Sequence, residues 1–215
     1  MLGGGNFGTA MAYAASRNGH AVTIWMRDAE QARTLNETRR NPRYLSDFPL
    51  PPNVSATTDL AAAMAGVQLI IHCLPCQQTP EWLAAHRDAI PPDVLICSTA
   101  KGLYLPTQQL IGHAMADALG PEREQPFAFL SGPSFSIEIM KDFPTSVVVA
   151  SRQLFHATLC QRVLSNLAMR VYTSQDVVGV QLGGADHETL APLPLRSCRC
   201  CQHCSALELT AALGL

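Results

Sequence analysis

The sequence has little of several features that mark particular classes of protein. Only 15% of its 215 residues are charged and the net charge is −2, so no basic surface is available to hold nucleic acid or an anionic membrane. No apolar run is long enough to span a membrane, and the first residues contain neither a basic region nor an apolar signal core. We therefore expect a cytoplasmic chain with reduced cysteines whose partners are small molecules.

Segments typical of helices and strands alternate along most of the chain. Short apolar runs at 21–25, 67–75 and 94–100 are typical of buried parallel strands. Further strands are indicated by "FAFLSG", "TSVVVAS" and "MRVYTS". The alternation predicts an α/β fold, namely a Rossmann-like doubly wound sheet with right-handed crossovers.

Three helical segments carry more detailed predictions. Thr79 is predicted to cap a helix whose first residue is Pro80. The segment 106–120 is predicted to be a helix that Gly120 closes. A third segment is predicted to be an amphipathic helix, and the apolar residues near helical spacing in it are Leu154, Phe155, Leu159, Val163 and Leu167.

The chain opens on a glycine-rich turn. Gly3, Gly5 and Gly8 have the spacing G-x-G-x-x-G, and an Ala-rich helix and then a strand follow at the distance expected for a dinucleotide-binding turn. In such a turn the first glycine permits the bend, the second lets a pyrophosphate approach, and the third lets helix and strand pack closely. The helix would point its positive end at the phosphates. The strand before the turn is predicted to be largely missing, since only Met1 and Leu2 are available.

The end of the second strand leaves the choice of cofactor open. The usual acidic ribose ligand is absent there, and the sequence is "WMRD". Arg27 could stack on an adenine or meet a 2′-phosphate, and Asp28 could meet a ribose hydroxyl. The alternative is an ordinary solvated charge pair at the end of a strand. Both NAD and NADP therefore stay open.

Four short motifs are specific in combination. They are "GGGNFG", "AKG", "LSGPSF" and "DVVGVQLGGA", and the stretches "NPRYLSDFPLPPNV" and "LPCQQ" accompany them. From Leu2 to Ala185 the chain resembles NAD(P)-dependent glycerol-3-phosphate dehydrogenase, with the motifs in that family's order. The family reduces dihydroxyacetone phosphate to sn-glycerol 3-phosphate, or runs the reverse. The resemblance therefore implies an oxidoreductase that binds NAD or NADP and this small-molecule substrate pair.

The resemblance also implies roles for individual residues. The residues implied to contact the cofactor are Gly3, Gly5, Asn6, Phe7, Gly8, Arg27, Lys101 and Ser136. Those implied to contact the substrate are Lys101, Gly132 and Ser134, and Lys101 would be catalytic. The chemistry favours Lys101 independently, because hydride addition to a ketone builds negative charge on oxygen that an ammonium group can stabilise. Capping the next helix is a second role open to Ser134.

Other residues of chemical interest are interpreted as packing residues. His72 is expected to be an ordinary buried histidine, and Trp25 and Trp82 are expected to pack rather than react. Cys73 and Cys76 have C-x-x-C spacing, but they straddle a strand end and a proline, so no redox role is predicted. The tail sequence "CRCCQHC" crowds its thiols too closely for the usual paired zinc ligands, so no metal site is predicted.

The family pattern stops before the end of the chain. We predict an NAD(P)-binding domain over 1–174, the start of the family's helical C-terminal domain over 175–185, and an atypical tail over 186–215, with the rest of the helical domain absent. The family's main catalytic lysine would fall at His187, so we expect little or no dehydrogenase activity from this chain. The alternative is a nucleotide-binding fragment or remnant without catalysis. Apolar surface left uncovered at both ends would favour association, including a homodimer.

Overall fold

The computed structural model describes residues 1–120 and 122–189, the last six of these through their backbone only. The strands in this part of the chain are β1 (Val22–Trp25), β2 (Val54–Thr57), β3 (Leu69–His72), β4 (Leu95–Ser98), β5 (Leu103–Tyr104), β6 (Gln109–Leu110), β7 (Phe127–Ser131), β8 (Thr145–Ala150) and β9 (Met169–Ser174). The helices are α1 (Asn6–Arg17), α2 (Ala29–Thr38), α3 (Leu60–Met64), α4 (Thr79–Ala85), α5 (Ile111–Leu119), α6 (Ser136–Met140), α7 (Leu154–Leu164) and α8 (Val177–Thr189). Within the described residues, every helix is too short or too polar to traverse a bilayer.

The main sheet has the strand order β2-β1-β3-β4-β7-β8-β9, with Leu2 inserted between β1 and β3. Neighbouring strands are parallel except for β7 and β8, which pair antiparallel. The predicted doubly wound α/β fold is confirmed. Strand β8 runs antiparallel to β7, because the connection 132–144 with its short helix α6 turns the chain back along its neighbour instead of crossing over the sheet.

A very short first strand joins the two parts of the sheet. The backbone N–H of Leu2 donates to Ile71 O at 2.9 Å, and Leu2 O accepts from the N–H of Cys73 at 2.8 Å. On the other side the N–H of Trp25 donates to Met1 O at 2.8 Å, and the N–H of Gly3 donates to Trp25 O at 3.0 Å. The first strand is thus as abbreviated as predicted, and these few residues still place the glycine turn at the carboxyl end of β1 and β3.

Helices cover both faces of the sheet. Helices α1, α2, α6 and α7 contribute to one apolar cluster, and α3, α4 and α5 contribute to the other. Helix α1 lies close to the sheet because its buried face consists mainly of small side chains, and these are Gly8, Ala10, Ala12, Ala14 and Ala15. Burial of apolar surface on both faces stabilises this layered arrangement, by roughly 25 cal/mol of transfer free energy for each Å² removed from water.

Two predictions about helix starts are wrong. Thr79 is inside α4 rather than capping it, and its hydroxyl donates to Pro75 O at 2.9 Å. The helix predicted over 106–120 begins only at Ile111, because β5 and β6 form a hairpin before it. The turn of that hairpin places Gln108 at a φ of 54°.

Helix α7 is present, but its predicted apolar face is not the buried one. The side chains that it buries are Ala157, Cys160 and Leu164. Val163 of the predicted face is partly buried. The exposed members of that face are Leu154, Phe155, Leu159 and Leu167. Small residues face the sheet because they let the helix backbone approach it closely, which spacing alone does not reveal.

Candidate dinucleotide and substrate site

Three glycines shape the turn between Leu2 and α1, each in a different way. Gly3 has a φ of +108°, which favours glycine, and a Cβ atom there would lie 3.0 Å from Cys73 O. A Cβ atom at Gly8 would overlap the carbonyl oxygen of Gly3, so the helix could not approach the turn with any side chain at this position. At Gly5, by contrast, no heavy atom of the described residues lies within 4 Å of the Cβ position. The first and third glycines therefore build the turn, and the second faces open space.

The start of α1 is available to an anion. Gly5 is the N-cap residue with an extended backbone, and in the described part of the chain no side chain caps the helix. The first turn contains no acidic residue. Asn6 is exposed and Phe7 is partly buried against the core. Because the first N–H groups of a helix have no partner within it, this helix end presents donors and the positive end of its dipole to the open space at Gly5.

A buried polar network that the sequence analysis missed lies behind the turn. The side-chain amides of Gln31 and Asn41 both donate to the carbonyl oxygen of Gly4, each at 3.0 Å. Asn41 also donates to the hydroxyl of Thr9 at 2.8 Å. Thr9, Gln31 and Asn41 are all buried. The loop that follows α2 therefore fastens the glycine turn to the first turns of α1.

At the end of β1 the charge pair differs from the Arg27–Asp28 pair considered for "WMRD". Asp28 caps α2 by accepting from the N–H of Gln31 at 2.8 Å, and it forms an ion pair with Arg43 at 2.5 Å. The pKa of the Asp28 carboxyl is lowered, chiefly by the Gln31 N–H and also by Arg43 beside it. Arg27 is exposed. The charge pair at this strand end thus joins Asp28 to Arg43. Arg27 takes no part in that pair and faces solvent.

Lys101 lies in a recess beside the end of β7. The parallel pairing of β4 with β7 places Ser98 opposite Phe129, so the loops after these two strands are neighbours. The recess is small and opens to solvent. Its lining residues are Ala100, Lys101, Phe129, Leu130, Ser131, Val180 and Gln181. The sheet therefore brings the "AKG" and "LSGPSF" motifs together, and helix α8 closes one side.

The loop after β3 holds the segment that follows Lys101. The side-chain amide of Gln77 donates to Leu103 O at 2.8 Å and accepts from the N–H of Leu105 at 3.1 Å. One strand further along, the N–H and the hydroxyl of Thr99 both donate to His72 O. The "LPCQQ" and "STAKGL" stretches are thus joined by hydrogen bonds.

The predicted substrate residues lie at the end of β7. Gly132 has a φ of +141°, and a Cβ atom there would lie 3.0 Å from Ser146 O. The backbone conformation and this close contact therefore explain why a glycine stands at this position. The Ser134 hydroxyl donates to Gly132 O at 3.3 Å and does not cap α6, whose N-cap is Phe135. The capping role considered for Ser134 is therefore wrong. Ser136 is partly buried at the first position of α6.

Of the residues interpreted as packing residues, His72 and Trp25 are buried, and Trp82, Cys73 and Cys76 are partly buried against the apolar clusters. His72 is fully buried, and burial lowers its pKa from 6.5 to about 4, so the ring is neutral near pH 7. Burial raises the pKa of the Cys73 thiol to about 11, which opposes thiolate chemistry at the C-x-x-C spacing. The rings of Trp25 and Trp82 pack with centroids 5.1 Å apart. The tail cysteines lie outside the described residues.

Comparisons with known proteins identify the family. Residues 1–157 match the family described as NAD-dependent glycerol-3-phosphate dehydrogenase N-terminus. The chain belongs to this family. It is 41% identical over 191 residues to a glycerol-3-phosphate dehydrogenase (NAD(P)+) of Desulfovibrio desulfuricans. The aligned region covers 89% of this chain and 57% of that protein. It is 40% identical over 193 residues to the chloroplastic glycerol-3-phosphate dehydrogenase (NAD(+)) of Oryza sativa, covering 89% of this chain and 44% of the relative.

A solved structure agrees with this family membership. The glycerol-3-phosphate dehydrogenase of Coxiella burnetii superposes with a TM-score of 0.78 and 31% sequence identity, over 85% of this chain and 55% of that one. The chain thus spans 44% to 57% of the length of these family members. The described structure corresponds to their common α/β part.

Proposed function

We propose that this chain is the dinucleotide-binding part of a glycerol-3-phosphate dehydrogenase, which interconverts dihydroxyacetone phosphate and sn-glycerol 3-phosphate with NAD or NADP. The observation that carries the proposal is the open, uncapped start of α1 beside Gly5. Free backbone N–H groups and the absence of a nearby acidic side chain in the described first turn fit a pyrophosphate. Family membership supplies the reaction that such a site would serve.

The residues around the turn fit the parts of a dinucleotide. Gly5, Asn6 and Phe7 are proposed to line the pyrophosphate, while Gly3 and Gly8 give the turn its shape. Arg27, exposed at the end of β1, is proposed to contact the adenosine part. The partly buried Ser136 is proposed to border the cofactor from the start of α6.

The substrate is proposed to bind in the recess that Lys101 lines. Gly132 and Ser134 follow the lining residue Ser131 in the chain and are proposed to border the substrate there. A bound nicotinamide dinucleotide would supply the hydride. The Lys101 ammonium group would stabilise the negative charge that develops on the substrate's carbonyl oxygen, and its charge would also attract the phosphate. A partly enclosed recess strengthens both interactions, since the surrounding apolar residues reduce screening by water.

We propose that this chain alone turns over slowly or not at all. His187 stands where the family's main catalytic lysine is expected. The His187 side chain lies outside the described atoms. The second candidate, dinucleotide binding without catalysis, is favoured by this same substitution of a histidine for the lysine. Following NADH oxidation with dihydroxyacetone phosphate at high protein concentration separates the two, because residual activity that Lys101→Met abolishes supports the dehydrogenase.

Substrate binding can be tested apart from turnover. Dihydroxyacetone phosphate added to the chain saturated with NADH should shift the backbone amide signals of Gly102 and Gly132, and Lys101→Met should weaken this response. Signals that stay in place at saturating substrate would contradict the proposed recess. The exposed Lys141→Met serves as the matched control, because it removes the other lysine of the chain away from the recess.

Domain limits, location and assembly complete the proposal. The NAD(P)-binding domain is proposed to cover 1–174, with 175–185 opening the helical domain and 186–215 forming a separate tail. The chain is proposed to act in the cytoplasm as a homodimer. The exposed apolar side chains of α7 support association between copies, and sedimentation velocity tests it, since a monomer at all concentrations would contradict a dimer.

A further inference from the structure

We propose that Asn41 and Gln31 are positioning residues that aim the Gly5 N–H at the dinucleotide pyrophosphate. The inference rests on the proposed function and extends it to two side chains outside the glycine turn. Asn41 lies in the loop after α2, and Gln31 lies in α2 itself. Neither residue faces the open space at Gly5, so any effect on binding must act through the backbone that they hold.

Two side-chain donors meet on one backbone carbonyl oxygen. Gly4 O accepts from Gln31 Nε2 and from Asn41 Nδ2, each at 3.0 Å, and both donors are buried. A carbonyl oxygen has two lone pairs, so the two amides use its full capacity. Rotating the Gly4–Gly5 peptide would break both bonds and leave buried polar groups without partners, which is costly. The orientation of this peptide is therefore fixed.

The direction of the next N–H follows from the geometry of the peptide bond. In a trans peptide the C=O and the following N–H point in opposite directions, and the described chain contains no cis peptide. Because Gly4 O points inward to the two amides, the N–H of Gly5 points outward. In the described part of the chain this N–H has no acceptor. The Cβ position of the same residue is also open, since no atom outside the adjoining residues lies within 4 Å of it.

Asn41 also connects the turn to α1. The second hydrogen of Asn41 Nδ2 donates to Thr9 Oγ1 at 2.8 Å, and Asn41 Oδ1 accepts from Gln31 Nε2 at 2.9 Å and from the N–H of Arg43 at 3.2 Å. Every donor and acceptor site of the Asn41 amide is thus occupied. The turn and the helix start are held as one unit, so the donors need little reorganisation when an anion binds.

The test uses side chains of similar size that cannot donate. Asn41→Leu and Gln31→Met each remove one of the two bonds to Gly4 O. Gln31→Met also removes the bond to Asn41 Oδ1, but it keeps the bonds of Asn41 to Gly4 O, Thr9 and the N–H of Arg43, so it serves as the second variant if Asn41→Leu folds poorly. The matched control is Asn53→Leu, because Asn53 also donates to two backbone carbonyls, those of Ser16 and His20. These lie at the far end of α1, about 16 Å from the turn.

The readouts separate positioning from stability. Calorimetry with NADH or NADPH should show binding about tenfold weaker or more for both variants, and unchanged binding for the control. The affinity for adenosine, which lacks phosphate, should stay unchanged in all of them. With glycine-labelled chain, the Gly5 amide proton should move downfield when the dinucleotide binds to the unmodified chain, and less in the two variants.

The outcomes distinguish this inference from the proposed function. A folded Asn41→Leu or Gln31→Met chain that binds the dinucleotide as tightly as the unmodified chain would overturn the positioning role and leave the proposed function intact. Equal losses for dinucleotide and adenosine would also overturn it, since they indicate a general structural effect. An unmodified folded chain that binds no dinucleotide would contradict the proposed function itself.

Discussion

Adding one methyl group at Gly5 or at Gly8 should have opposite consequences for binding and for stability. Gly5 has φ −79° and ψ −172°, a conformation that alanine adopts readily, and its Cβ position is open. The Cβ position of Gly8 is occupied by the carbonyl oxygen of Gly3. Gly5→Ala therefore changes the space in front of the turn, whereas Gly8→Ala changes the packing behind it.

The expected magnitudes follow from these surroundings. In Gly5→Ala the loss of a favourable N-cap residue and the reduced entropy of the unfolded chain each amount to about 0.5–1 kcal/mol and oppose one another, so stability should change little. A methyl group in the path of the pyrophosphate should weaken dinucleotide binding by about 10- to 100-fold. Gly8→Ala should lower the free energy of unfolding by about 3 kcal/mol or more, because two backbone segments must separate.

Two measurements check both halves of this prediction. Urea unfolding, followed by circular dichroism and by the emission of Trp25 and Trp82, gives the free energies of unfolding. Calorimetric titration with NADH and NADPH gives the affinities of the folded chains. Gly19→Ala is a control for the titration, since Gly19 lies beyond the other end of α1.

Equal behaviour of the two variants would contradict these different roles of Gly5 and Gly8. A Gly5→Ala chain that is as stable as the parent and binds dinucleotide equally well would show that the open space at Gly5 is not where the pyrophosphate lies. A Gly8→Ala chain of unchanged stability would show that the close contact between α1 and the turn is not needed for folding.

Other substitutions test separate parts of the structure. Because burial lowers the pKa of His72 from 6.5 to about 4, the unfolded chain binds a proton that the folded chain does not, and stability should fall by about 3 kcal/mol as the pH drops through this range. Urea titrations across the range should show this loss in the exposed control His20→Gln but not in His72→Gln, and equal slopes would contradict the assignment. Arg27→Ala should weaken NADPH binding about tenfold and NADH binding much less if the guanidinium meets a 2′-phosphate, and equal losses in calorimetry would favour adenine stacking instead. Gln181→Met should lower the free energy of unfolding by about 1–3 kcal/mol, since Gln181 Oε1 is the acceptor of the Gly112 N–H at 2.8 Å, and an unchanged urea midpoint would contradict this.

Most elements of the fold could be predicted because their signals are local. The glycine spacing and the Ala-rich segment predict α1, and the short β-branched run predicts β1, where the structure has both. The β5–β6 hairpin could not be predicted in this way. It is held by Gln77, a residue from another loop, and this tertiary contact overrides the helical preference of the residues before Ile111.

The candidate site could be predicted only in part, for a similar reason. The family motifs indicated Lys101 and the glycines, whose positions depend on short spacings. The stretch that begins at Asn41 accompanies the family motifs, but it indicated no role for Asn41 itself, because an asparagine before a proline is typical of any turn. Its partners Gly4 and Thr9 are 37 and 32 positions away, so only the folded sheet brings them together.

The most direct test of the account is a crystal structure of the chain with saturating NADH or NADPH. The account predicts that the pyrophosphate lies within hydrogen-bonding distance of the backbone N–H groups of Gly5, Asn6 or Phe7, in front of the glycine turn. A folded chain with this turn empty, or with the dinucleotide bound elsewhere, would contradict it.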